Sequence, residues 1–265
     1  MRERVVDELQ RIERQYGVRV LLAVESGSRA WGFASPDSDY DVRFIYNHHR
    51  DWYISVAESR DVIEEMLPGD LDVSGWDLRK TLRLFGKCNI GLNEWLGSPI
   101  VYWQAPTFRE QLLQLMPSYF NPVAGLHHYR SMAVRTLEEN LKGERIGIKK
   151  LFYVLRPLLA CRWIERKRSQ PPTLFHAMMD DEFVSPEERT WIEGLLKRKA
   201  DAREADPVAV NGARVNCIRG ELEQHGSMSM SPPVPSSGSK DELDGLLRRW
   251  VVTHDAPPSF PLQGR

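Results

Sequence analysis

The chain has 265 residues and a mass of 30.6 kDa, with 42% hydrophobic and 28% charged side chains. That composition excludes a disordered or fibrous protein and leaves one large domain or two small ones. A net charge of −1, from 36 basic and 37 acidic side chains, excludes a protein that coats duplex nucleic acid by bulk charge, so any phosphate binding must be local.

Cys88, Cys161 and Cys217 are far apart and form no paired spacing, so neither a disulfide framework nor a zinc site is indicated, and a reducing compartment is expected. The amino-terminal residues carry no apolar signal core and no run approaches membrane-spanning length, which predicts a cytoplasmic protein.

Val5, Val6, Leu9 and Ile12 recur at helical spacing, predicting an amphipathic helix over about the first fifteen residues that ends at Gly17. Residues 18–25 (VRVLLAVE) read as a buried strand, and 26–38 as a Gly/Ser/Pro/Asp-rich loop or short helical turn. In the next stretch Tyr40, Val42, Phe44 and Tyr46 alternate with Asp41, Arg43 and Ile45, giving a second strand with one apolar and one largely polar face.

Residues 51–67 read as helical or irregular, 71–76 as a third strand and 77–87 as a helix, with a break at Pro99. Beyond residue 106 strand signals fade and helices are expected at 107–116, 127–142, 146–168 and 186–205, with Pro157 kinking the third. The Ser/Pro-rich stretch 226–239 reads as a flexible linker, followed by a helix at 240–252 and a Pro-rich tail. The expected fold class is α+β. Its organisation is a core over 1–120, a helical domain over 121–225, the linker at 226–239, and a terminal helix and tail at 240–265.

The residues that point to chemistry are GSRAWG at 27–32 and SPDSDYDVRF at 35–44. Strand alternation puts Asp39 and Asp41 on one side, with α-carbons about 6.7 Å apart. Like charges at that range repel, and a divalent cation relieves the repulsion. Carboxylate oxygens are hard ligands suited to Mg²⁺ or Mn²⁺, ions that are commonly shared with substrate phosphates. Gly27 permits close backbone approach, and Ser28 adds a hydroxyl where a phosphate could sit. Arg29 offers a planar donor fork for the same group.

A hydrophobic strand, Gly-Ser, ten intervening residues and Asp-x-Asp together resemble the signature of the DNA polymerase β-type nucleotidyltransferases. The longer strings GSRAWGF, SPDSDYDVRF, GWDLRK and EWLGSPIVY resemble more narrowly the YcgL/RlaP-type group, which is associated with RNA repair. The resemblance spans about residues 18–165. It implies the minimal nucleotidyltransferase fold, a small mixed sheet with flanking helices, followed by a helical domain that completes the nucleotide cleft. It also implies metal held by Asp39 and Asp41 with a third carboxylate on a neighbouring strand, and an NTP as substrate. Asp72, inside LDVSGW, matches the third position better than Asp77, whose other reading is a helix cap. That carboxylate would help hold the metal and accept the acceptor's hydroxyl proton.

Between residues 130 and 168 eleven Lys or Arg stand against four Glu. Lys149, Tyr153 and Arg156 share one helical face there and could close over phosphates, although basic helix faces are commonly just solvated. Trp31, Trp76, Trp95 and Trp103 read as core aromatics rather than base platforms.

The expected activity is metal-dependent transfer of a nucleoside monophosphate from an NTP to an acceptor hydroxyl, an RNA end being favoured from the resemblance. Nucleotidylation of a small molecule or protein side chain is the alternative within the enzyme class. A non-catalytic nucleotide- or RNA-binding module is the alternative outside it.

Overall fold

The computed structural model describes residues 1–201, 206–227 and 238–252. The expected linker therefore lies largely, and the Pro-rich tail wholly, outside the described residues, as does the end of the helix expected at 186–205. In chain order the elements begin α1 (Arg2–Tyr16), β1 (Arg19–Glu25), α2 (Gly27–Trp31), β2 (Tyr40–Asn47), α3 (Arg50–Tyr53), β3 (Val62–Leu67) and β4 (Leu71–Asp77). They continue α4 (Leu78–Gly86), α5 (Ile90–Leu96), β5 (Val101–Gln104), α6 (Phe108–Tyr119), α7 (Pro122–Asn140), β6 (Arg145–Gly147) and α8 (Ile148–Lys167). The last are α9 (Phe175–Met179), α10 (Pro186–Asp201), β7 (Pro207–Ala209), α11 (Gly212–Ser227) and α12 (Lys240–Val252).

The chain folds as two compact units. The first takes Met1–Gly27, Asp39–Tyr119 and α12; the second takes Ser28–Ser38 and the described residues from Phe120 to 227.

The first unit is built on a five-stranded sheet of order β3-β4-β2-β1-β5. β2 and β4 run parallel and the other pairs antiparallel. One sheet face carries Val20, Ala23, Val42, Phe44, Tyr46, Leu71 and Val73 against Val5, Leu9 and Ile12 of α1. The other carries Leu22, Val24 and Ile45 against α4, α5 and α6.

α1 stops at Gly17, whose φ of 61° is left-handed and whose N–H bonds Glu13 O. α12 packs on the second face through Leu246, Trp250 and Val251. It is tied down by Asn47 Nδ2 donating to Trp250 O at 2.7 Å and by Tyr119 Oη donating to Ser239 O at 2.6 Å. The terminal helix is thus part of the sheet unit's core.

The segment expected to be helical or irregular at 51–67 contains only the short α3 and then β3. Glu64 and Glu65 obscure the alternation of VIEEML, which forms a strand because β4 follows one tight turn later and pairs with it from Val62↔Trp76 to Leu67↔Leu71. β5 and the β6–β7 ribbon also lay below the sequence signal; at three or four residues each, their pairing is decided by their partners.

The second unit is helical, with α7 packed along α8 and α10 and α11 beside them. α8 runs through Pro157. Arg162 on α8 bonds Glu188 of α10 and Glu221 of α11, and His225 of α11 bonds Glu165 and lies 3.5 Å from Glu221. No described helix is long and apolar enough to cross a membrane.

Candidate active site

The site is assembled at the N-terminal ends of the parallel strands β2 and β4, beside the C-terminal end of β1. The register Asp41↔Asp72 sets these two carboxylates side by side, with α-carbons about 4.8 Å apart as neighbouring strands require. Both lie on the sheet face that further along carries Ile45 and Trp76, by strand alternation. The two are about one-third exposed, at 32% and 31%.

Between them lies a cation that the sequence reading named but did not use. Arg43 Nη2 donates to Asp72 Oδ2 at 2.7 Å and to Asp41 Oδ1 at 3.1 Å. Arg43 Nη1 donates to the backbone oxygens of Val42 and Asp72 at 3.1 and 3.3 Å. The signal was in DYDVR: a residue two places after Asp41 in a strand points to the same side.

Asp41 is held from two directions. Its N–H donates to Glu25 Oε1 at 2.9 Å, and its carbonyl accepts from Ser26 N–H at 2.8 Å. Glu25 is fully buried, and its other oxygen accepts from Tyr102 Oη at 2.5 Å. A carboxylate ending an otherwise apolar strand was the available hint to it.

Gly27 sits directly against this carboxylate: a Cβ there would run into Asp41 Oδ2, with Asp41 Cγ 3.3 Å away, and the backbone φ is +62°. Only glycine meets both conditions. The Gly-Ser motif and the Asp-x-Asp motif are therefore coupled through Gly27 and Asp41. Asp39 is exposed and immediately precedes β2 rather than lying within it.

Asp77 lies elsewhere. It pairs in register with Tyr46, five residues and one face away from Asp72. Its carboxylate is the N-cap of α4, accepting from Arg79 N at 2.8 Å, and also accepts from Tyr53 Oη at 2.6 Å. Burial raises its pKa, opposed by the Tyr53 hydroxyl and the capping N–H groups. The helix-cap reading describes this residue.

In the second unit, Ser28 and Arg29 gather around Ser38. Ser28 Oγ donates to Ser38 Oγ at 3.2 Å and Arg29 Nη2 to Ser38 O at 2.7 Å. Ser28 is buried and Arg29 half-buried. The neighbouring aromatics bind this segment to α8: Trp31 packs on Tyr153 with centroids 5.1 Å apart, and Phe33 on Phe152 at 5.0 Å.

Arg156 does not share an exposed face with Lys149. It is 0% exposed, its guanidinium lying 4.4 Å from the Trp31 ring centroid and donating to Thr173 O at 3.3 Å. Proximity to the aromatic Trp31 face is a cation–π contact that supports the 28–38 segment. Lys149 lines a cavity of about 590 Å³ with Lys142, Arg145, Lys150 and Glu139.

Asp39, Asp41 and Asp72 supply oxygen donors of the kind that hold Mg²⁺ or Mn²⁺. Among the described residues no three acidic, His or Cys side chains already stand as a closed metal-binding group. The donor chemistry fits a hard divalent cation, and the place between Asp41 and Asp72 is occupied by positive charge from Arg43.

The family model described as RlaP, an RNA repair pathway DNA polymerase beta family, matches residues 1–249. The uncharacterized protein YcgL of Bacillus subtilis (strain 168) is 47% identical over 252 residues, 95% of each chain. The crystal structure of a nucleotidyltransferase-like protein from Exiguobacterium sibiricum 255-15 aligns with 92% of this chain and 80% of that one. At 15% identity and a TM-score of 0.29 that likeness is too loose to argue from. With nearly its whole length matched by the family and by a relative of this identity, the chain belongs to the RlaP family of DNA polymerase β-type nucleotidyltransferases.

Proposed function

We propose that this nucleotidyltransferase moves a nucleoside monophosphate from an NTP to the hydroxyl at an RNA end, in the cytoplasm and with a divalent metal, Mg²⁺ or Mn²⁺. The observation that carries the reading is the register pair Asp41–Asp72, with Asp41 packed against Gly27. Two carboxylates about one-third exposed and held side by side outweigh the single Arg43 guanidinium between them, and the charge left over suits a divalent cation.

Asp41 and Asp72, with Asp39 at the mouth of β2, would hold the metal. When bound, it supplies charge neutralisation and Lewis acidity at the α-phosphate. Asp72 accepts the proton of the acceptor hydroxyl as that oxygen bonds to the α-phosphorus, and the bond to the β-phosphate breaks to release pyrophosphate. Gly27 lets its backbone lie against Asp41, and Ser28 and Arg29 follow it as the proposed hydrogen-bond donors to the nucleotide's phosphates.

In the helical unit Lys149 and Tyr153 are the proposed phosphate-binding side chains, and Arg156 supports Tyr153 by fixing Trp31. The cavity around Lys142, Arg145, Lys149 and Lys150 gives the helical unit a basic lining suited to phosphate, in a chain whose overall charge is near zero. Cys88, Cys161 and Cys217 stand outside any disulfide, which is compatible with a reducing compartment.

The test is incubation with Mg²⁺ or Mn²⁺, each labelled NTP, and a panel of RNA, DNA, protein and small-molecule acceptors. Label on RNA that disappears in Asp41→Ala and Asp72→Ala supports the proposal. Label only on protein or small molecules replaces the acceptor, and binding of nucleotide without transfer to anything replaces the enzyme with a binding module.

A further inference from the structure

We propose that Arg43 is the resting counter-ion of the site: its guanidinium holds Asp41 and Asp72 together in the absence of metal and must be displaced for a divalent cation to enter. The inference rests on the reading of Asp41 and Asp72 as metal ligands.

One nitrogen, Nη2, touches both carboxylates, at 2.7 and 3.1 Å. Asp41 and Asp72 would hold the divalent cation, so the guanidinium lies against the same two side chains that the ion needs. The arginine takes Asp72 Oδ2 and Asp41 Oδ1, so a divalent ion drawn to the same two carboxylates competes there with the guanidinium's charge.

The charges favour exchange once metal is available. Two carboxylates carry two negative charges and one guanidinium returns one, so the pair keeps a net negative charge even before Asp39 is counted. A divalent ion neutralises it fully. Asp41 and Asp72 are about one-third exposed, at 32% and 31%, so the ion has a route from solvent. Arg43 itself is 19% exposed and remains anchored through Nη1 to Val42 O and Asp72 O. These backbone bonds let Nη2 give up the carboxylates without the side chain losing all its acceptors.

In the resting site the arginine prevents the repulsion that two adjacent carboxylates would otherwise exert across β2 and β4. The fork geometry matters: a lysine is a single point charge and cannot span both acids and two carbonyls. Arg43 thus acts through Asp41 and Asp72 and is a positioning residue.

The test is Mn²⁺ binding to the full chain without nucleotide, followed by the paramagnetic resonance of free Mn²⁺, together with melting in EDTA. The proteins compared are wild type, Arg43→Met, Arg43→Lys and Asp41→Asn. Removal of a competing cation is expected to tighten Mn²⁺ binding in Arg43→Met by about 5–150-fold, the range of ordinary site-to-site coupling. Arg43→Lys is expected to fall between Arg43→Met and wild type. Arg43→Met should melt lower than wild type in EDTA and recover with Mn²⁺.

Equal or weaker Mn²⁺ binding in both Arg43 variants, with binding still lost in Asp41→Asn, overturns the counter-ion role and leaves the metal site standing. Absence of Mn²⁺ binding in all four proteins overturns the metal reading and this inference together. If Arg43→Met does not fold in EDTA, Arg43→Lys carries the comparison, and its failure to bind Mn²⁺ more tightly than wild type overturns the proposal.

Discussion

Arg43 and Arg162 each bridge a pair of carboxylates, as Arg11 also does with Glu8 and Glu65, and the Arg43 and Arg162 pairs differ in their access to water. In the sheet unit Arg43 joins Asp41 and Asp72, which are about one-third exposed. In the helical unit Arg162 joins Glu188 and Glu221, which are 17% and 19% exposed, and His225 closes the cluster at 4%. The chemistry of the bonds is the same. Arg162 uses its whole fork, with Nη1 to Glu188 at 2.8 Å and Nη2 to Glu221 at 2.7 Å, and locks three helices. Arg43 puts one nitrogen on both acids at the open end of a sheet. The Arg162 cluster braces three helices largely out of water, whereas the Arg43 cluster lies where a ligand from solvent can reach its carboxylates.

The strongest way to break this contrast is to remove each arginine or its partner and read stability and transfer separately. Arg162→Met strands Glu221 and Glu188 among packed helices and should lower unfolding free energy by about 3–5 kcal/mol in denaturant titration. Transfer by the fraction still folded should be unchanged. Asp41→Ala should do the reverse, reducing the rate of nucleotidyl transfer by about 10²–10³-fold with little change in melting temperature. A melting temperature that collapses in Asp41→Ala would put the two clusters in one class.

The closed cluster also predicts a pH signature. Burial pushes the His225 imidazole down, but hydrogen bonds to Glu165 and Glu221 carry it up to about 9 from an ordinary 6.5. Its stabilising contribution is therefore complete below about pH 6.5 and is lost as pH rises through about 9. Burial pushes Glu221 up, but bonds from Arg162 and His225 bring it down to about 2 from 4.5. That contribution is present above pH 4.5 and is lost as pH falls through about 2. Melting followed from pH 6 to 10 should fall on the alkaline side by an amount on the order of 1–3 kcal/mol, and His225→Gln should flatten that limb.

The smallest expected effect sharpens the comparison within one strand. Asp77→Ala removes the α4 cap and should cost about 1 kcal/mol of stability, read as a lower denaturation midpoint, without abolishing transfer. Asp72→Ala should do the opposite. Loss of transfer in Asp77→Ala with stability intact would reverse the assignment of these two residues.

Much of the site was readable along the chain. The alternation of YDVRFIYN gave a strand with Asp41 on its polar side, and the Gly-Ser spacing gave a bend before it. Arg43 was equally readable, since it follows Asp41 by one strand period, yet a metal was expected to do what the arginine does in the structure. Arg156 shows the limit of a helical face: Lys149 and Arg156 share a stripe in projection, but Trp31 and Thr173 enclose the arginine, and those neighbours come from distant segments. VIEEML was missed as a strand for the same reason, because its pairing with β4 is what makes it one.

Local periodicity is a property of consecutive residues, so the sequence by itself determined α1, β1, β2 and the side of the strand that Asp41 and Arg43 share. Register is a relation between strands separated by a long stretch of chain, and a slip of one residue would turn every side chain to the other face. Only the tertiary structure therefore decided that Asp72 stands beside Asp41 while Asp77 caps a helix, and that α12 completes the core of the sheet unit.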